Sequence, residues 1–178
     1  MRIAGSTLVA ITLLFTAGAA VADPPANKPA EQLLAKALRA SMVEVELGKL
    51  AQKNAESTGV NALGVRLQRD HARIGKVLAA VSRDRGMIVP ASLDSGQRAQ
   101  IDALGEKSGA DFDAGYVEQM VTNHDAAVHL FTALSQSDDA ELSQLAKAAL
   151  PILREDQRLA DSYAKLSPSD TVRPIAAQ

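Results

Sequence analysis

From Ala30 to Gly86, and again from Ser95 to Leu150, the only helix breakers in this chain are glycines. Ala, Leu, Gln, Glu, Lys and Arg dominate both stretches, all good helix formers. No segment alternates apolar and polar residues as a half-buried strand would. The pattern predicts long helices over about 29–56, 60–85, 111–136 and 139–165, and a shorter one over about 94–107. Asp94 or Ser95, Asp111, and Asp138 or Asp139 stand where N-caps are expected. Pro151 falls inside the last segment and should kink it or bend its start, because it removes one backbone hydrogen bond. Rods of roughly 26 residues run to about 40 Å. Four of them, joined by two short connections and one long one, predict an all-α four-helix bundle.

Composition narrows the chemistry. The 178 residues contain no Cys and no Trp, so disulfides, thiolate metal sites and a cysteine nucleophile are excluded. A net charge of −2 gives no electrostatic reason to bind nucleic acid, and 3% aromatic residues make no stacking platform. No nucleophile paired with a base and no phosphate-cradling glycine loop stands out. Gly59, Gly64, Gly86 and Gly105 read as helix punctuation or tolerated helix glycines.

The first 22 residues read as an address. Arg2 precedes an apolar run from Leu8 to Val21, which ends in Ala20-Val21-Ala22 ahead of Asp23. That is the order of a secretory signal peptide cleaved after Ala22, and the run is shorter than a membrane span. An uncleaved N-terminal anchor is the alternative. The expected mature protein is periplasmic or secreted, without a stable membrane span. Residues 23–29 read as an extended lead-in, 30–165 as the bundle and 166–178 as a flexible tail.

Three histidines in so plain a composition need an account. His71 lies on the stripe Val60, Leu67, Ile74, Leu78, and His124 on the stripe Val117, Met120, Val128, Phe131. Asp156 falls between Leu153 and Leu159 on the fourth segment. Glu46 sits at the edge of the first stripe, between Val43 and Leu50. Each of the four lies within about one turn of its helix midpoint. Two imidazoles and two carboxylates in one buried layer must be hydrogen-bonded to each other or bound to a metal. A mixed N/O donor set suits Zn, Fe, Mn or Cu(II). The bland readings are a satisfied core histidine, an Asp156 paired with Arg or Lys, and a Glu46 paired with Lys49 or Lys53. His129 lies about 100° off the stripe and should meet water. Asp70 and Asp125 point sideways, and Met42 and Met120 read as core filler.

The stretches VEVELGKLAQKNA, LQRDH, DFDAGYVEQMVTNHDAAVHLF and AKAALPILREDQRLA together resemble the domain-of-unknown-function 4142 family of exported bacterial proteins. The resemblance spans about residues 32–164. It implies a ferritin-like four-helix bundle in the periplasm or envelope and brings no established activity. It places the family's recurring polar positions on Glu46, His71 and His124. Where the family usually has a further His after the Leu-Pro of the fourth helix, this chain has Asp156. Another His often seen after the second helix is missing. Three functions stand open at this point: a metal-binding bundle, a structural protein whose polar layer sets helix register, and a partner-binding helical protein.

Overall fold

A computed structural model describes residues 29–166. The signal segment, all of the lead-in except Pro29, and all of the tail except Leu166 lie outside the described residues. Within them the chain is all-helical: α1 Pro29–Asn54, α2 Thr58–Asp84, α3 Ser95–Gly105, α4 Gly109–Ser135 and α5 Ala140–Ala164. Among the described residues no helix is long and apolar enough to cross a membrane.

Local chemistry sets the ends. Pro29 opens α1, where its missing N–H costs nothing. The hydroxyl of Ser57 accepts from Val60 N at the start of α2. Asp94 accepts from Gln97 N while the Gln97 side chain accepts from Asp94 N, a reciprocal cap on α3. Asp139 is the cap of α5 and accepts from Leu142 N. Asp111, one of the expected caps, instead falls in the first turn of α4, where its charge suits the helix dipole. Pro151 is exposed and α5 continues through it.

The four long helices pack α1 on α2, α4 on α5, α1 on α4 and α2 on α5, while α3 leans on α1 and α4. The apolar interior falls into two clusters. One takes Leu34 and Leu38 of α1, Ile74 and Leu78 of α2, Phe131 and Leu134 of α4, and Leu142 to Leu153 of α5. The other takes Leu47 and Ala51, Val60 to Leu67, Phe112 to Met120, and Ala160 and Tyr163. The order in which each helix visits the two clusters makes each of these four pairs of long helices antiparallel. The connection from α2 to α4, which carries α3, therefore crosses from the first cluster's end to the second's. Between the clusters each long helix contributes a buried polar residue: Ser41 and Glu44, Asp70 and His71, His124, and Asp156.

Two contacts fix how the helices approach. The carboxylate of Asp113 on α4 accepts Glu56 N at 3.0 Å and Ser57 N at 2.8 Å, which ties the α1–α2 turn to α4. On α1 and α2, Gly48 and Gly64 face each other's helix: a Cβ at Gly64 would lie 2.6 Å from Ala51 Cβ, and one at Gly48 2.7 Å from Gly64 O. Gly64 is thus a packing residue, not mere punctuation. Gly64→Ala should therefore lower stability by about 1–3 kcal/mol through overpacking, despite alanine's better helix propensity. Denaturant melts compared with Gly75→Ala check this. At Gly75 the nearest atom to a new Cβ, Ser41 Cβ, is 3.4 Å away, so that control should hold or gain stability.

Candidate metal centre

The polar layer brings three ligand types together. Glu44 of α1, His71 of α2 and His124 of α4 each offer a donor atom, and the three atoms lie within 4.8 Å of one another. All are buried, at 3%, 2% and 0% exposure. His124 Nδ1 lies 2.9 Å from the Met120 carbonyl oxygen. A carbonyl only accepts, so Nδ1 carries the proton, and in the neutral ring the lone pair is on Nε2. That Nε2 is 3.2 Å from His71 Nε2, with the rings edge-on at 82°. His71 Nε2 must then donate, which leaves its Nδ1 as a bare acceptor. That atom is buried and has no partner.

The carboxylate of Glu44 is also aimed by a neighbour. Gln119 Nε2 donates to Asn123 Oδ1 at 2.7 Å, and Asn123 Nδ2 donates to Glu44 Oε1 at 2.6 Å. Glu44 Oε2 is buried without a partner. Burial pushes the Glu44 carboxyl above its usual range, against the opposing pull of His124 and Asn123. Burial, and secondarily His124, lowers His71 to about 3. Burial, helped by the charge of Glu44, raises the phenol of Tyr116, whose hydroxyl is likewise buried and unpartnered. Of the six buried side-chain polar atoms without partners among the described residues, four belong to Glu44, His71, Tyr116 and Asp156. Unsatisfied polarity, which a well-packed core avoids, is thus concentrated in or beside one layer.

The sequence points to Glu46, His71, His124 and Asp156 as one set. The two histidines do meet. Glu46 does not join them: its side chain is 33% exposed and accepts from Lys49 Nζ at 2.8 Å. Glu44 stands in its place, two residues earlier and so on a different face of the same helix. The apolar stripe of α1 misleads because Glu44 lies on a line with the small residues Ser41, Gly48 and Ala51, where α1 lies close against α2. A search for small residues at spacings of three and four, instead of large apolar ones, finds Glu44 on that line.

Asp156 is fully buried but is not a member of the cluster. Its Oδ1 accepts from Arg66 Nε at 2.8 Å, and the same Nε lies 3.7 Å from Asp70 Oδ2. Arg69 also pairs with Asp70, Nε to Oδ1 at 2.9 Å. Asp70 is thus buried in an arginine pair and not solvated. The Arg66 guanidinium holds the position between the two carboxylates that a cation would otherwise take. Burial raises the Asp156 carboxyl, against Arg66. His129 meets water, with 80% of its side chain exposed beside Asp125. Met120 is core, and only its carbonyl reaches His124.

The geometry suits a single ion. Two imidazole nitrogens on one tetrahedral zinc, at about 2.0–2.1 Å each, stand roughly 3.3 Å apart. The two Nε2 atoms are already 3.2 Å apart. A cation between them would replace the shared proton, and Glu44, with a donor atom within 4.8 Å of the others, would supply the anionic oxygen. Three protein donors leave at least one coordination position open.

The family model described as Domain of unknown function (DUF4142) matches residues 15–162 of the chain. No curated protein matches it. Among solved structures, the "Crystal structure of DUF305 fragment from Deinococcus radiodurans" is similar, with a TM-score of 0.68 at 15% sequence identity. The alignment covers 80% of this chain and 100% of that one. At that identity the likeness speaks for the helical fold alone.

Proposed function

The chain belongs to the family described as Domain of unknown function (DUF4142), and from that footing we propose that it is an exported, ferritin-like four-helix bundle that binds one transition-metal ion through Glu44, His71 and His124. The observation that carries this reading is the convergence of three buried donors from three helices, two of them with a polar atom that has no partner. The single long crossover between α2 and α4 is the connectivity of ferritin-like bundles. With two imidazoles and one carboxylate, Zn, Fe, Mn and Cu(II) are the fitting ions. No nucleophile–base pair accompanies the site, so the reading is binding, not a named reaction.

Export is the second part of the proposal. It rests on Arg2, the apolar run from Leu8 to Val21 and the Ala20-Val21-Ala22 exit. Mass spectrometry of the protein recovered from a periplasmic fraction should find Asp23 at the N-terminus. Recovery only from the cytoplasm with Met1 intact would refute it.

Metal loading followed by elemental analysis tests the site. One equivalent of metal is expected in the wild type, and less than about a tenth of that in His71→Ala/His124→Ala, since loss of even an outer partner costs 10–100-fold. Metal retained by the double variant would remove the proposal. A second reading has its own support. The His71–His124 hydrogen bond partly satisfies the layer without any ion, as a polar contact that fixes helix register would. In that case added metal leaves the thermal unfolding of the wild type unchanged.

A further inference from the structure

The metal reading leaves open how a cation reaches so deeply buried a layer. One cavity answers it. Between α1 and α2, under the segment 89–93 that leaves α2, lies a pocket of about 430 Å³. Its walls include Ser41, Met42 and Glu46 of α1 and Gly75 of α2, and it is the pocket that His71 lines. His71 is 2% exposed and its Nδ1 is unpartnered, so a buried, lone-pair-bearing ring forms part of the wall. Gly75 lines this space, where a Cβ would meet only Ser41 Cβ at an ordinary contact distance of 3.4 Å, so a larger side chain is needed to fill it. Glu46, which the layer does not use, stands on the pocket wall, and its carboxylate can meet an incoming cation before Glu44 does.

Resting on the metal reading above, we propose that this pocket is the passage by which a divalent cation reaches Glu44, His71 and His124. The charges around it are Glu46, itself paired with Lys49, and the exposed Arg98 of α3. Glu46 and Lys49 cancel and Arg98 leaves one positive charge, so the field does not draw a cation in and the passage selects by size. Without such a passage, access to a layer this buried would need local unfolding, and exchange would follow the helix-opening equilibrium.

The chain has no cysteine, so one introduced thiol is a unique probe. In metal-free protein, Ser41→Cys should react with methyl methanethiosulfonate under native conditions. Adding Gly75→Leu, which fills the pocket, should slow that reaction by about tenfold or more, a change expected of a blocked route and not of altered opening. In zinc-loaded protein without the cysteine, Gly75→Leu should slow stripping by a chelator by about tenfold while the equilibrium zinc affinity stays within about threefold, because a plug in the passage raises the barrier to entry and to exit alike. Ala79→Leu, one turn along the same wall, serves if Gly75→Leu does not fold. Ala126→Cys, exposed on α4 and away from the pocket, should react equally with and without the plug. The passage is overturned if the thiol of Ser41→Cys reacts only as fast as the protein unfolds globally, or if both plugs leave that reactivity and zinc release unchanged. Failure of the wild type to bind zinc at equilibrium would instead overturn the metal reading, and the thiol arm would still decide whether the passage reaches the layer.

Discussion

Glu44→Gln is expected to cost metal affinity by more than about a hundredfold, beyond what loss of an outer partner does, while making the metal-free protein more stable at neutral pH. The two effects have one cause. Burial raises the Glu44 carboxyl above the value it has in the unfolded chain. The folded state then holds a proton that the unfolded state releases, so stability falls as pH rises from about 4.5 toward the folded value. Glutamine keeps the shape, keeps an oxygen for Asn123 Nδ2 and has no proton to lose, so that loss disappears. It also has no anionic oxygen for a cation. Metal binding to the wild type must displace the Glu44 proton, so affinity should rise with pH until Glu44 is ionised. Glu46→Gln is the paired control and should change neither equilibrium affinity nor stability appreciably, because its ion pair with Lys49 is exposed.

His71 works in the opposite direction. Its folded value, about 3, lies below the usual 6.5. The unfolded chain therefore takes up a proton that the folded chain refuses, and stability present above about 6.5 is lost as pH falls toward about 3, at up to about 1.4 kcal/mol per pH unit. From about 4.5 up to the folded Glu44 value, and no further than about 6.5, the Glu44 and His71 contributions oppose each other. With chelator present, the wild type should show a muted pH dependence in that window. Glu44→Gln should show a steeper loss toward acid, and His71→Gln, which keeps only the Glu44 contribution, no loss or a gain. Urea melts at several pH values separate these, and identical slopes in all three proteins would contradict the assignment of both groups.

Arg66→Ala should destabilise the fold by about 3 kcal/mol at neutral pH, the low end of the roughly 3–5 kcal/mol seen when a buried ion pair loses one partner. The low end applies because the Arg66 side chain is 35% exposed, whereas Asp156 is fully buried. What remains is a carboxylate with one oxygen already unpartnered, now without its cation. The cost should shrink as pH falls, because burial already raises the Asp156 carboxyl and protonation neutralises it. Asp156→Asn should be much milder, since Arg66 can turn to water. The double variant Arg66→Ala/Asp156→Asn should recover at least about half of the loss, the coupling expected of residues in direct contact. Additive losses in the double variant would mean that the pair does not act as one.

The helical architecture was legible in the sequence because breakers and caps are local signals. The gap between Pro29 and Pro90, Asp94 followed by Gln97, and Asp139 ahead of Leu142 each act within one helical turn of a boundary. The two histidines were legible because large apolar neighbours mark their faces. Glu44 was not, because its face is marked by Ser41, Gly48 and Ala51, whose smallness matters only once α2 lies against them. Asp156 was legible as a buried residue, but its partner was not. Arg66 is 90 positions away, and only the packing of α2 on α5 brings them together. The Asn123 contact that aims Glu44 is equally non-local, at 79 positions. Propensity is read along the chain, whereas a site is assembled across it.

Anomalous diffraction from crystals of the metal-loaded protein, recorded at the absorption edge of that metal, decides whether Glu44, His71 and His124 together hold one cation. One strong anomalous peak is expected within bonding distance of both Nε2 atoms and a Glu44 oxygen, with none at Glu46. A metal-loaded protein with no peak in that layer, or with its peak on surface carboxylates instead, would contradict it.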